Sequence, residues 1–211
     1  MNILSLQPDF IVVDKEYGIS SHASPGDTAL NAVDILLQDT ERRVAPITRL
    51  DRQTSGVMVF SDNPEFIQNV KFMEKTYYAL CLGVTPPEGK IDQALTTDGK
   101  SQEALTLYKT IKAHRTLSGV EVFSEIHATI MTGRHHQIRR HMRTLGHPVI
   151  GDYRHGYNDK NNELQEKLGF RLRCCLHAQT LSFMWKSKKY SFYSEVPADV
   201  AAIRDGLKAL Q

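Results

Sequence analysis

The residues best suited to chemistry lie in the stretch Ile47–Phe60, ITRLDRQTSGVMVF, where Asp51 stands between Arg49 and Arg52 with Leu50 directly before it. A carboxylate beside guanidinium groups stays ionised even when partly desolvated, because nearby positive charge favours the charged form. Held in that state, an aspartate can attack as a nucleophile or take up a proton as a base. The same spacing also suits a structural aspartate that caps a turn or pairs with Arg49, since structural ion pairs perturb pKa values too. The neighbours add a placement. Thr54, Ser55 and Gly56 are small, and the apolar run Val57–Phe60 behind them reads as a buried strand. Asp51 is therefore expected on a loop entering a sheet. Ser55 and Gly56 are read as supplying tight backbone geometry rather than a nucleophile.

A second concentration of functional types runs from Gly133 to His147. It holds four arginines (Arg134, Arg139, Arg140, Arg143) and four histidines (His135, His136, His141, His147), and no acidic residue. Formal net charge is only +2, so any binding of nucleic acid has to come from a local patch such as this one. The histidines also invite a metal reading. However, His135 and His136 stand six and five residues before His141, which is not the i, i+4 spacing of a metal-binding helix, and no cysteine is near in sequence. A basic face toward RNA is preferred, with no metal. The chain contains no phosphate-binding glycine loop, dinucleotide fingerprint or serine-hydrolase elbow.

The elements that must position these residues can be read from pattern. Phe10–Asp14 is a short buried strand, and Ser20–Gly26 a polar loop. Asp27 is expected to cap a helix reaching Gln38. Asn63 and Pro64 open a helix to Glu74 that buries Phe66, Ile67, Val70 and Met73. Lys75–Leu82, Leu105–Ile111 and Val120–Met131 read as strands. Arg134–Leu145 reads as a helix with Ile138, Met142 and Leu145 inward, ended by Gly146. Tyr153–Gly169 is polar and irregular, with a short helix near Glu163–Lys167. Ala178–Trp185 and Tyr190–Val196 form a hairpin turned by Lys186–Lys189. A last helix turns Val200, Ile203, Leu207 and Leu210 inward. Strands interleaved with helices, several in hairpins, indicate an α+β fold with a mixed, largely antiparallel sheet flanked by helices.

At 211 residues, with 41% hydrophobic and 24% charged residues, the chain suits one globular domain without repeats or an evident linker. It has no apolar stretch of membrane-spanning length and no signal-like N-terminus, so a cytoplasmic protein is expected. Cys81, Cys174 and Cys175 make neither a disulfide framework nor a CxxC pair and are expected reduced and buried.

Several blocks together resemble one family. Thr48–Gly56 (TRLDRQTSG) resembles the HRLDxxTSG signature of the RluA-type (RluA/TruC-like) pseudouridine synthases. Gly133–His141 (GRHHQIRRH) resembles their GRxHQIRxH block and Gly146–Asp152 (GHPVIGD) their GHPxxGD block. Lys75–Tyr77, Leu176–Ala178 and the opening Val12–Gly18 (VVDKEYG) match further motifs in family order. Thr48 stands where His is usual, and Asp14 and Glu16 stand where Asn and Pro are common.

The resemblance implies a single catalytic domain over residues 1–211, without a separate N-terminal RNA-binding domain. It implies a cofactor-free isomerase that detaches uracil from ribose C1′, turns it, and reattaches it through C5. Asp51 would be the essential carboxylate, as nucleophile or proton abstractor. Arg139 would pair with it bidentately, or else contact phosphate. Tyr77 would stack on the uracil and Leu176 close its other side. Arg49 would enter the space left by the extruded base. Lys75, Arg134, His136, Gln137, Arg140 and Arg143 are the further candidates for RNA contact. The partner is a tRNA or large-subunit rRNA, bound by a monomer. Its choice would rest on the loops Ser20–Gly26, Thr85–Ser101 and Tyr153–Phe170. A non-catalytic RNA-binding module and an aspartate-dependent glycosidic hydrolase are the alternatives. The hydrolase reading lacks a second marked carboxylate.

Overall fold

A computed structural model describes residues 1–23, 28–115 and 122–210. Its elements begin with β1 (Asn2–Leu6), β2 (Ile11–Lys15), α1 (Ala32–Thr40), β3 (Ala45–Pro46), β4 (Ser55–Ser61) and α2 (Pro64–Asn69). Next come β5 (Lys71–Leu82), β6 (Glu88–Ile91), β7 (Leu95–Thr97), β8 (Lys100–Gln102), β9 (Thr106–Arg115) and β10 (Val122–Ile130). The remainder is α3 (Gln137–Thr144), α4 (Asn158–Leu168), β11 (Leu176–Trp185), β12 (Lys188–Tyr193) and α5 (Ala198–Ala209). The chain forms two compact units. One comprises Met1–Lys75 with Ala178–Glu195; the other comprises Thr76–His177 and the chain from Val196 onward. Helices alternate with mainly antiparallel strands without a regular βαβ series, which is the expected α+β class.

In the first unit the strand order is β1-β2-β4-β11, with β3 on β4 and β12 on β11. Phe10, Val12, Val57, Val59, Phe66, Leu181, Phe183 and Trp185 make one apolar cluster. The alternate residues Ile11, Val13, Met58 and Phe60 are buried as well, so β2 and β4 are covered on both faces. This explains why Val57–Phe60 is an unbroken apolar run. Helix α1 begins later than expected. Its cap is Asn31, whose side chain accepts from the amides of Val33 and Asp34 while Asp34 answers with a capping box; Asp27 lies outside the described residues.

Helix α2 keeps its expected start but stops at Asn69, and β5 begins at Lys71. Val70 already has extended backbone angles, and the β-branched and aromatic residues from Val70 to Tyr78 prefer a pleated surface. Ile67 is accordingly 44% exposed rather than buried. The β11–β12 turn is tighter than expected. Trp185 pairs with Lys188, and Lys186 and Ser187 both take positive φ, as a two-residue primed turn requires. Neither is a residue type that announces such a turn.

In the second unit the order is β5-β10-β9-β6, with a separate β7–β8 hairpin. That hairpin turns on Asp98 and Gly99, both at positive φ, inside a stretch expected to be a loop. Helix α3 starts three residues later than the expected Arg134 and ends in a Schellman turn. The His147 amide donates to Met142 O (2.9 Å) and the Gly146 amide to Arg143 O (3.0 Å), with Gly146 at φ +87°. Helix α4 is longer than the short Glu163–Lys167 helix expected. Only Asn161 and Leu164 of it are buried, too thin a stripe to give a period, while Glu163 pairs with Lys160 and Lys167 on the exposed side. Helix α5 buries Val200, Ile203 and Leu207 as expected, with Leu210 half-buried. All three cysteines are free and buried.

Candidate active site

Asp51 lies on the loop between β3 and β4, half-buried between the exposed Arg49 and Arg52 and next to buried Leu50. The backbone on either side of it is fixed. Ser21 Oγ donates to Leu50 O (2.5 Å) and accepts from the Leu50 amide (3.0 Å). Arg52 exchanges backbone and side-chain bonds with Gly18: the Gly18 amide donates to Arg52 O and Arg52 Nε to Gly18 O, each at 2.8 Å. Asp51 O itself accepts from the Thr54 amide at 2.9 Å, closing a turn that leads into β4. Lys15, fully buried, donates to Glu16 O (2.9 Å) and Ile19 O (2.8 Å), which holds the bend that presents Gly18. Gly56 takes φ +119°, and a Cβ there would stand 2.2 Å from Ala178 O. Only glycine fits, which explains the small residues after Asp51.

In the second unit Arg139 is buried on α3 and grips Asp152 with two bonds, Nε to Oδ2 at 2.8 Å and Nη2 to Oδ1 at 2.7 Å. Both side chains are 1% exposed. This bidentate pair with Asp152 is one that the motif reading does not include. Burial alone would raise the Asp152 pKa, but the Arg139 bonds and charge, with the amides of His155 and Arg154, hold it below the ordinary carboxylate range. A buried guanidinium paired in this way cannot swing, so its remaining N–H groups point in a fixed direction.

In this unit backbone bonds lace the Gly146–Asp152 block to β5 and to Cys175, the residue before β11. Ile150 N donates to Leu80 O, Leu80 N to Cys175 O, Cys175 N to Ile150 O and Leu82 N to Pro148 O. Gly151 at φ +72° lets Arg173 O approach to where a Cβ would be 2.0 Å away. Tyr77 on β5 and Leu176 at the start of β11 are brought by this lacing to the same region as the 148–152 segment. Both are buried. Tyr78, next to Tyr77, packs in the core: its hydroxyl donates to Glu125 Oε2 at 2.7 Å, and burial pushes its pKa up.

The Gly133–His147 block is less of a basic patch than its composition suggests. Gln137, expected to contact RNA, is buried with its amide fully used. Oε1 accepts from Thr132 Oγ1 and the Arg134 amide, while Nε2 donates to Leu105 O and Thr106 Oγ1. His136 begins α3 at φ +55°, with its Nδ1 2.7 Å from His155 Nε2. Burial, helped by the charge of Arg139, pushes its pKa down to about 3, so the ring is neutral. His141 is buried between Thr106 Oγ1 (3.0 Å) and Gln93 O (2.9 Å). Arg134 donates Nε to Glu103 O at 3.0 Å. Lys75, in the first unit, rests its ammonium 4.4 Å from the Phe72 ring centroid, and burial lowers its pKa. Arg140 is half-buried, and Arg143 is exposed.

The sequence pattern described as RNA pseudouridylate synthase matches residues 9–144. The chain belongs to that family. It is accordingly an isomerase that converts uridine in RNA to pseudouridine, as its motif blocks imply. It is 33% identical over 207 residues to tRNA pseudouridine synthase C of Haemophilus ducreyi, with 87% of this chain and 85% of that protein covered. With the Vibrio vulnificus protein of the same name it shares 33% over 200 residues, covering 83% and 81%. Among solved structures, human RNA Pseudouridylate Synthase Domain Containing 4 superposes with a TM-score of 0.76 at 21% identity, over 98% of this chain and 92% of that one. Human RNA Pseudouridylate Synthase Domain Containing 1 gives 0.72 at 21%, over 92% and 82%. These two share the fold.

As a pseudouridine synthase the chain has a set of framework residues that pattern reading passed over. Ser21, Gly18 and Lys15 fix the Asp51 loop, and Asp152 fixes Arg139. Asp152 stood in the GHPxxGD block and Lys15 in the VVDKEYG block, so motif membership was an available signal for both. Ser21 sits in the polar loop Ser20–Gly26, where nothing in its type marks it. No described helix is long and apolar enough to cross a membrane.

Proposed function

We propose that this pseudouridine synthase acts on tRNA and that Asp51 carries the chemistry. The reaction breaks the bond from C1′ to N1 and forms one from C1′ to C5; N1 gains a proton and C5 loses one, so substrate and product are isomers. Asp51, ionised, either bonds to the sugar or base or withdraws a ribose proton. Arg139, held by Asp152, keeps a fixed positive charge for the reacting group. Tyr77 and Leu176 flank the extruded uracil, and Arg49 takes the place it leaves in the RNA stack. Arg134, Arg140, Arg143 and Lys75 bring phosphate contacts, while His136 and Gln137 shape the start of α3. Both units belong to one catalytic domain that works as a cytoplasmic monomer; the three free, buried cysteines fit a reducing compartment.

The observation that carries the reading is the clamped loop. Leu50 and Arg52 are each tied to a distant part of the chain, so the carboxylate between them is presented on a rigid backbone although it lies in a loop. The tRNA assignment is supported by the names of the relatives at 33% identity over most of the chain. Purified Asp51→Ala is expected to bind RNA and make no pseudouridine; product equal to that of the wild type would remove Asp51 from the mechanism. Pseudouridine mapping of tRNA and rRNA from cells with and without the protein tests the substrate. A site lost only from rRNA would reverse the assignment.

A further inference from the structure

We propose that Arg143 and Tyr157 form a stacking platform for an unpaired substrate base flanking the isomerised uridine. The guanidinium carbon of Arg143 lies 3.7 Å from the centroid of the Tyr157 ring, the separation of two planes face to face. Arg143 is exposed and Tyr157 is 39% exposed. A guanidinium backed by a ring on one side turns its other plane to solvent. Bases that leave their own stack are taken up on such planes, whether aromatic or guanidinium. The ring behind also holds the arginine flat in advance, which lowers the side-chain freedom lost on binding.

The fold places this pair deliberately close to Arg139. Arg143 is one helical turn further along α3, the i, i+4 neighbour of Arg139 with Cβ atoms about 6 Å apart, and near the end of the helix it is exposed where Arg139 is buried. Tyr157 arrives through the turn that Asp152 closes. The Arg154 and His155 amides donate to Asp152 Oδ1 at 3.0 and 3.1 Å, and the Gly156 amide to Asp152 O at 2.9 Å. Tyr157 then starts α4 by accepting the Asn161 amide at 2.9 Å. The carboxylate that holds Arg139 therefore also sets the chain that carries Tyr157. The distance from target to flanking base rests on the reading that places Arg139 at the reacting uridine; the stack itself does not.

Arg143 as a mere phosphate contact makes a different prediction, because a point charge would then suffice. The test compares Arg143→Ala, Arg143→Lys, Tyr157→Ala and Tyr157→Phe. Pseudouridine formation is assayed on bulk RNA from cells lacking the protein. Binding is followed with a single-stranded RNA oligonucleotide carrying 2-aminopurine, whose fluorescence is quenched on stacking. Arg143→Lys and Tyr157→Ala are expected to raise the apparent KM about tenfold, with a much smaller change in kcat, and to lose the quenching. Tyr157→Phe, which keeps the ring, restores most of what Tyr157→Ala loses. Arg143→Ala alone lowers the salt slope of binding by about one. Quenching and KM unchanged in Arg143→Lys would leave only a phosphate contact; unchanged values in Tyr157→Ala would remove the ring. Because the oligonucleotide arm needs no turnover, it fails separately from the isomerase reading. Thermal melting of each variant separates lost stacking from lost folding.

Discussion

Asp152→Ala is the perturbation that most sharply tests how Arg139 is held. The substitution leaves a guanidinium in a site where both partners are 1% exposed, with no counter-charge from Asp152. Removing one partner of a buried ion pair costs about 3–5 kcal/mol, far more than the pair is worth against an apolar replacement. The Arg154 and His155 amides lose their acceptor as well, so the upper part of that range is expected. For a chain of this length about 4 kcal/mol corresponds to a fall of roughly 10 °C in Tm. Two compact units need not unfold together, so hydrogen exchange of the α3 amides is the sharper assay. Their protection should drop about a thousandfold. Asp152→Asn keeps an acceptor for the two amides and loses the charge, and is expected to lose about half as much. Its kcat should fall while RNA affinity holds, since Arg139 is displaced rather than removed. Adding Arg139→Met to Asp152→Ala removes the buried positive charge that Asp152 had balanced and should recover part of the stability. Protection within about 1 kcal/mol of wild type in Asp152→Ala would show that Arg139 does not depend on this pair, and the positioning role would fall.

The remaining expectations concern the framework. His136, His141 and His155 are all held below the ordinary histidine pKa, each chiefly by burial. Neutral in the folded chain and protonated in the unfolded one, they should make stability fall as pH drops below about 6.5; a denaturation midpoint that is flat or rises from pH 7 to pH 5 would contradict this. His136→Asn, which tolerates the positive φ, should remove that residue's share of the slope. Ser21→Ala takes away both bonds to Leu50 and should cost about 1–3 kcal/mol. With the Asp51 loop loosened, kcat for pseudouridine formation should fall at least roughly tenfold while RNA binding holds; an unaltered kcat would mean the clamp is irrelevant to catalysis. Gly56→Ala forces a Cβ to 2.2 Å from Ala178 O at φ +119° and should lose more than about 3 kcal/mol, read as low soluble yield and a depressed melt.

What pattern could read, and what it could not, divides along physical lines. Strands β2, β4 and β10 and helices α2, α3 and α5 carry a clear apolar period or a capping residue, and each was expected near its place. Strand β1 is absent from the pattern and helix α4 is legible only over Glu163–Lys167, because neither buries more than a thin stripe: β1 has no fully buried residue, and α4 buries only Asn161 and Leu164. The β7–β8 hairpin was missed although Asp98–Gly99 is a strong turn signal, because its strands are only three residues long. The Asp51 loop was legible as a loop, but its rigidity was not. The Ser21 and Gly18 bonds join residues 29 and 34 positions apart, a distance no local pattern spans.

The Gly133–His147 block shows why composition overstates a binding surface. Its arginines and histidines look like one positive patch, yet burial sorts them into two groups. His136, Arg139 and His141, with Gln137, face inward and spend their polar atoms on His155, Asp152, Thr106, Gln93 and Leu105. Arg143 faces solvent, while Arg134 and Arg140 lie between. A polar side chain that is buried must find partners inside the protein, and the spacing that supplies those partners is as demanding as the spacing that supplies a substrate contact. A block matched in full therefore combines two constraints, the exact seating of one charged group and the few contacts left for RNA. Separating them requires two assays: variants of the inward set should change kcat and stability, and variants of the outward set should change the salt dependence of binding.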